Sequence, residues 1–195
     1  MNMRLAACTV ALLAAGCATL PPPAAVEEWP ARRHALQALD HWTLSGRMAV
    51  AAGDNGFSGG LSWRQAGAQA AIELRGPMGG RALSIRVEGE QLSVTDGDGE
   101  TVEGEDATRL LARHIGASLP IAELRFWVVG APAPCIPHHE TIGADRRLQL
   151  LEQSGWRVSY SSYRSAGEQT LPSRMEITTG DLRLRLVVSD WRMDR

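Results

Sequence analysis

From Trp42 onward, apolar side chains recur at every second position. "WTLSGRMAV" sets Trp42, Leu44, Gly46, Met48 and Val50 on one face, and "FSGGLSW" does the same with Phe57, Gly59, Leu61 and Trp63. A period of two with one apolar face is that of a half-buried β-strand. "GDNG" between them reads as a turn. Ile72 and Leu74, then Leu83, Ile85 and Val87, flank "GPMGG" and predict a hairpin. "QLSVTD", the turn "GDGE" and "TVEG" continue the pattern. Later, "RLQLLEQ" and "WRVSYSSY" are separated by Ser154-Gly155, and "SRMEITTG" precedes "DLRLRLVVSDW". That last stretch carries Leu182, Leu184, Leu186 and Val188 opposite Arg183 and Arg185. Short joins make neighbouring strands antiparallel. Gly46, Gly59 and Gly60 inside strands predict bends or bulges in a curved sheet.

Three segments follow the helical period instead. "ARRHALQALDHW" spaces Ala35, Leu36 and Leu39 for a short amphipathic helix. "DATRLLARHIG" places Leu110, Leu111, His114 and Ile115 on one side, with Asp106 as its cap. "LPIAELRFWVVG" opens at Pro120 and closes at Gly130. Ala131 to Ala144, rich in proline and histidine, reads as loose chain. There is no βαβ rhythm and no internal repeat. The expected fold is mainly β (α+β): an antiparallel sheet of about ten or eleven strands that curls, with three helices on one side or end.

The N-terminus departs from both periods. Arg4 precedes an apolar run, Leu5 to Ala15, too short to span a bilayer and suited to a signal-peptide core over residues 1–16. It ends in "LLAAGC", which resembles the lipobox of bacterial lipoproteins and would make Cys17 the acylated first mature residue. "ATLPPPAAVEEWP" is proline-rich, so residues 17–30 read as an acylated start and tether, and 31–195 as a single domain. Cys8 leaves with the signal and Cys17 carries lipid, so Cys135 stands alone and no internal disulfide is expected.

Charge narrows the function further. The chain has a formal net charge of −2, and without Arg4 it has 19 basic against 22 acidic residues, or −3. Every basic residue is arginine, which excludes Schiff-base and lysine-nucleophile chemistry. No basic stripe points to nucleic acid. "HHE", His138 to Glu140, lacks the i, i+4 helical spacing of a zinc site and falls in the proline-rich stretch. "DGDGE", Asp96 to Glu100, lacks EF-hand spacing. Ser45, Ser58 and Ser84 have no nucleophile-elbow setting, and no phosphate-cradling loop motif occurs. The expectation is a protein that is not an enzyme, with no cofactor and no metal.

The aromatic usage is skewed, with six tryptophans against two each of Phe and Tyr. Tryptophan in strands is ordinarily core. On the concave side of a curled sheet, such rings also leave gaps that suit acyl chains.

"GRMAV", "WRQ", "GPMGG", "LPIAELRFWVVGAP", "EQSGWRVSYSSY", "LPSRMEI" and "LRLRLVVSDW" occur in the order and spacing of the LolB family. The chain resembles that family from about Trp42 to Trp191. The resemblance implies a half-open antiparallel β-barrel whose helices cover an apolar cavity. It implies a lipid-anchored receptor on the periplasmic face of the outer membrane. Such a receptor accepts lipoprotein acyl chains from a soluble LolA-like periplasmic carrier and passes them to the inner leaflet. The implied partners are that carrier, the acyl chains of lipoprotein cargo and outer-membrane lipid; the receptor is expected to be a monomer. In the family's sorting logic an aspartate after the acylated cysteine favours the inner membrane, and Ala18 stands there.

By those motif matches, Trp63, Trp127, Trp156 and Trp191 are the candidate cavity or lid residues. Alternation alone adds Met48, Leu61, Leu83, Ile85, Leu184 and Leu186, on whichever face is concave. The family's hairpin loop carries an exposed apolar residue that enters the membrane. Gly76, Pro77, Met78 and Gly79 match it, with Met78 in place of the usual leucine. Arg32, Arg33, Arg146 and Arg147 read as solvated charges that an acidic carrier rim would also meet. Two other readings remain. One is a scaffold lipoprotein with a filled β core; the other is the soluble carrier itself, which the lipobox cysteine and the apolar hairpin tip argue against.

Overall fold

The computed structural model describes residues 28–53, 55–76, 80–115 and 118–194. The signal segment, Cys17, the tether as far as residue 27, and Pro77, Met78 and Gly79 lie outside the described residues. Eleven strands form one sheet: β1 (His41–Ala52), β2 (Asn55–Ala66), β3 (Gln69–Arg75), β4 (Arg81–Glu88), β5 (Gln91–Asp96), β6 (Thr101–Glu103), β7 (His138–Ile142), β8 (Leu148–Gln153), β9 (Trp156–Ala166), β10 (Gln169–Thr179) and β11 (Leu182–Met193). Three helices accompany them: α1 (Trp29–Gln37), α2 (Gly104–Ile115) and α3 (Ile121–Val129).

The sheet is antiparallel and open, in the order β6-β5-β4-β3-β2-β1-β11-β10-β9-β8-β7. The first and last strands pair at its centre, Trp42 against Met193 through to Ala52 against Leu182. Its two outer edges, β6 and β7, are consecutive in the chain, and the segment joining them carries α2 and α3. Both helices are therefore strung between the edges of the sheet. Helix α2 packs beside the β6 edge, against β5 and β6, while α3 packs over β10.

The alternation seen in the sequence is the alternation of burial. Leu182, Leu184, Leu186 and Val188 are buried, while Arg183 and Arg185 point out and pair with Glu176. Strict alternation from Val188 would turn Asp190 inward. A bulge prevents this: the β1–β11 register skips Ser189 between Ser45 and Gly46. The extra residue shifts the phase by one and turns Trp191 into the core. Gly46 is required there, because a Cβ would stand 2.2 Å from the Val187 carbonyl oxygen. A Cβ on Gly59 would stand 1.9 Å from the Arg75 carbonyl oxygen, so β2 and β3 close up only around a glycine. Pro172, which has no N–H to donate, sits at an irregularity in the β9–β10 register.

Four details differ from the sequence reading. The segment taken as loose chain contains β7, so "HHE" lies on an edge strand paired with β8. Its polar residues hide the strand period. Helix α1 begins at Trp29, two residues before the domain boundary, with Pro30 in its first turn, where a missing N–H does no harm. Helix α2 begins at Gly104, so Asp106 lies inside the first turn and pairs with Arg109 rather than capping. The buried face of α2 is Ala107, Leu111 and Ile115, and His114 is exposed.

Candidate functional site

The two central helices differ in kind. Helix α3 is apolar on nearly every side and buries Leu124, Phe126, Trp127, Val128 and Val129. Such a helix belongs inside a protein. Helix α2 is strongly amphipathic and touches the core through one stripe, residues i, i+4 and i+8.

Between these helices and the sheet lies an apolar cavity of about 50 Å³. The sheet contributes Met48, Leu61, Trp63, Ile72, Leu74, Ile85, Ile177, Leu184 and Leu186. The helical side contributes Ile115 from α2, Leu119 between the helices, and Ile121, Leu124 and Val128 from α3. No polar side chain lines it among the described residues. The volume is that of one or two water-sized groups at about 30 Å³ each. A site for an acyl chain needs several hundred Å³. The cavity as it stands is too small for one.

Of the ten residues proposed from the sequence, Met48, Leu61, Trp63, Ile85, Leu184 and Leu186 line this cavity. Leu83 is buried with them but does not line it. The other three tryptophans lie elsewhere in the core. Trp191 reaches Trp63 only through Trp42, whose ring sits 5.3 Å from Trp63 and 5.4 Å from Trp191. Trp127 pairs with Trp156 at 6.2 Å.

Two residues that the sequence reading passed over hold the lid helix in place. Gln65 and Gln153 are the buried polar side chains of the described core. The Gln153 Oε1 accepts from Trp127 Nε1 and from the Ala133 amide, both at 2.8 Å. Its Nε2 donates to the carbonyls of Ala133 at 2.9 Å and Ile136 at 3.1 Å. One side chain thereby binds the end of α3 and the chain that leaves it. On the opposite flank, Trp63 Nε1 donates to Gln65 Oε1 at 3.1 Å, and Gln65 Nε2 donates to the Gly67 carbonyl at 2.9 Å. That same carbonyl accepts from Arg125 Nη1 of α3 at 3.0 Å. Gln65 thus connects a cavity-lining ring to the lid helix. A signal for both was present: each glutamine occupies the inward phase of its strand, two residues after Trp63 and Leu151.

Tyr160 completes the fastening. Its hydroxyl donates to the Trp127 carbonyl at 2.9 Å. Burial pushes its pKa well above the ordinary tyrosine value, with neighbouring Tyr163 adding to the shift. Burial likewise raises Tyr163. A folded pKa above the unfolded value means stability is complete below about pH 10 and is lost as pH rises toward the folded pKa. These are the only two tyrosines in the chain. Tyrosinate absorbance in an alkaline titration should therefore appear with unfolding rather than before it; ionisation of either ring in a chain still folded by circular dichroism would contradict this.

The arginines read as solvated charges also have partners on the domain. Arg32 donates to the Thr170 carbonyl, Arg33 to Glu140 at 3.1 Å, Arg146 pairs with Glu28, and Arg147 lies 5.5 Å from the centre of the Tyr163 ring. Glu140 also accepts from Trp29 Nε1 at 2.8 Å, so the acidic member of "HHE" clamps α1 to β7. A cleft of about 850 Å³ is an open groove along Cys135–His139 and Gln153–Arg157, apart from the apolar cavity.

An antiparallel sheet covered by helices recurs among solved structures. A LolA-superfamily protein from Nitrosomonas europaea superposes with a TM-score of 0.52 at 12% identity, over 84% of this chain and 94% of its own. A DUF1329-family protein from Desulfovibrio piger gives 0.60 at 8% identity, over 85% and 90%. The family model "Outer membrane lipoprotein LolB" matches residues 40–191. The outer-membrane lipoprotein LolB of Stutzerimonas stutzeri is 34% identical over 96% of this chain and 94% of its own length. That of Pseudomonas aeruginosa is 35% identical over 98% and 96%. The chain belongs to the LolB family. Family and fold together support a role in lipoprotein localisation at the outer membrane.

Proposed function

We propose that this protein accepts lipoprotein acyl chains from a LolA-like periplasmic carrier and delivers them to the inner leaflet of the outer membrane. The observation that carries the reading is the wholly apolar cavity under a helical cover in a chain of this family. Acyl chains exposed to water cost about 0.8 kcal/mol per methylene, so cargo must stay covered at each step. Lifting α2 exposes Leu111 and Ile115, at about 1.5–3 kcal/mol each. Burial of roughly six methylenes offsets that, well within one long chain. Loading is therefore the event that opens the cavity. The sequence has no nucleotide-binding loop, so direction comes from affinity, and about 1.4 kcal/mol per step gives tenfold bias. Acylated Cys17 would hold the acceptor at its destination as a lipid-anchored monomer.

Gly76, Pro77, Met78 and Gly79 form the membrane-entering loop of this reading. Its base is firm: the Gly76 amide donates to the Gly80 carbonyl at 2.9 Å. Met78→Glu should leave acceptance from the carrier intact and slow delivery to liposomes about tenfold, the worth of one partly inserted apolar side chain. The measurement mixes carrier loaded with a labelled lipoprotein, the full mature chain and liposomes. Equal delivery by both forms would remove the loop from the mechanism.

The smallness of the cavity favours a second reading, a scaffold lipoprotein with a filled core. Saturable, one-to-one uptake of a fluorescent fatty acid separates the two; a domain that takes up none is the scaffold.

A further inference from the structure

We propose that α2 is the moving half of the lid and α3 the fixed half, so that acyl chains enter beneath α2. This rests on the acyl-binding reading above and assigns its gate. Four observations point the same way. Among the described residues, every side-chain hydrogen bond of α2 is internal: Thr108 to the Gly104 carbonyl, Arg109 to Asp106, and His114 with the Leu110 carbonyl. Its hold on the body is therefore apolar, through Ala107, Leu111 and Ile115 with Leu110 half-buried beside them, against β5 and β2. Helix α3 is instead fastened on both flanks, by Arg125 to the Gly67 carbonyl and by Trp127 to Gln153 and Tyr160.

The joints differ in the same sense. Gly104, where β6 passes into α2, has φ +59 and open space around the position of a Cβ. A left-handed glycine with nothing packed on it leaves the backbone room to rotate. Gly130, which ends α3, has φ +85, and a Cβ there would meet Pro172 Cγ at 3.0 Å. That joint is packed shut. Finally, β6 is only Thr101–Glu103, an edge strand held by β5 alone, so the hinge sits on the shortest strand of the sheet. Ile115 lines the cavity at the other end of α2, so swinging the helix about Gly104 removes part of the cavity wall.

The test measures distances between spin labels in the full mature chain carrying Cys17→Ala and Cys135→Ser. One pair joins Arg113→Cys on the exposed face of α2 to Val187→Cys on the outer face of β11; the other joins Ala122→Cys on α3 to the same Val187→Cys. The probe is a synthetic tripalmitoyl-cysteinyl peptide, with its binding followed in the same samples by displacement of a fluorescent fatty acid. With probe bound, the α2 distance should lengthen by about half a helix diameter, ~5 Å, and the α3 distance should stay as it was. Bound probe with an unmoved α2, or with α3 displaced as far as α2, overturns the gate assignment and leaves the receptor reading standing. Failure of the probe to bind removes the receptor reading, and the gate with it.

Discussion

Gln153→Leu should bring the domain close to unfolding at room temperature. The substitution removes four hydrogen bonds and supplies none. The Ile136 carbonyl keeps the ring nitrogen of His138 at 3.1 Å. The Trp127 indole N–H and both backbone groups of Ala133 lose their partner. Trp127 is fully buried and Ala133 nearly so, at 0% and 2% exposure, so water does not take Gln153's place. A buried polar group left unpaired costs about 1–3 kcal/mol, which puts the loss at about 3–9 kcal/mol for three groups. Domains of this size hold about 5–15 kcal/mol in total. At about 2–4 °C per kcal/mol, the midpoint should fall by roughly 6–36 °C. Gln153→Met, which restores length without hydrogen bonding, should fall as far. If Met recovers most of the stability, volume and not hydrogen bonding is what Gln153 supplies, and the fastening of α3 described here is wrong. Urea unfolding of both variants decides the matter.

The same residue shows where sequence reading stops. Alternation put Met48, Leu61, Leu83, Ile85, Leu184 and Leu186 on inward faces, because a strand with one buried face has a single tolerable phase. It also predicted about ten or eleven strands, and end signals marked one helix between Pro120 and Gly130, which is α3. It did not give the phase of Trp191, which depends on a bulge at Ser189 that no local pattern announces. Nor did it give the division of the tryptophans. Trp63 lines the cavity while Trp127 and Trp156 pack on each other, and neighbours distant in sequence decide which. Strand β7 carries no apolar alternation, because "HHET" spends its side chains on α1 and solvent and only Ile142 packs on the core. Gln65 and Gln153 lie inside "WRQ" and "EQSGWRVSYSSY", yet a glutamine reads as surface unless its strand phase is followed through. An inward-phase polar residue is a hydrogen-bond hub waiting for its partners.

Ile115→Ala should tighten acyl binding by about tenfold to a hundredfold while lowering stability. Ile115 is 3% exposed and forms part of the cavity wall. Truncating a buried isoleucine costs about 2–5 kcal/mol where the site cannot collapse. If α2 lifts on loading, that loss falls on the closed form alone. Apparent affinity is the intrinsic affinity scaled by the fraction of molecules that are open. Weakening closure raises that fraction, by a factor of ten for each 1.4 kcal/mol, until the open form dominates. Leu124→Ala on α3 is the matched contrast. Leu124 is 6% exposed and lines the same cavity, but α3 stays in place in both forms. Its truncation destabilises open and closed forms together, so affinity should move only about twofold to threefold while the unfolding midpoint falls as far. Fluorescent fatty-acid titration with urea unfolding on the same preparations reads both quantities. Tighter binding for Ile115→Ala and nearly unchanged binding for Leu124→Ala would show that closure energy resides in α2. Equal changes for the two, or weaker binding for Ile115→Ala, would mean that the helices move as one body and that Gln65 and Gln153 travel with the lid instead of holding it.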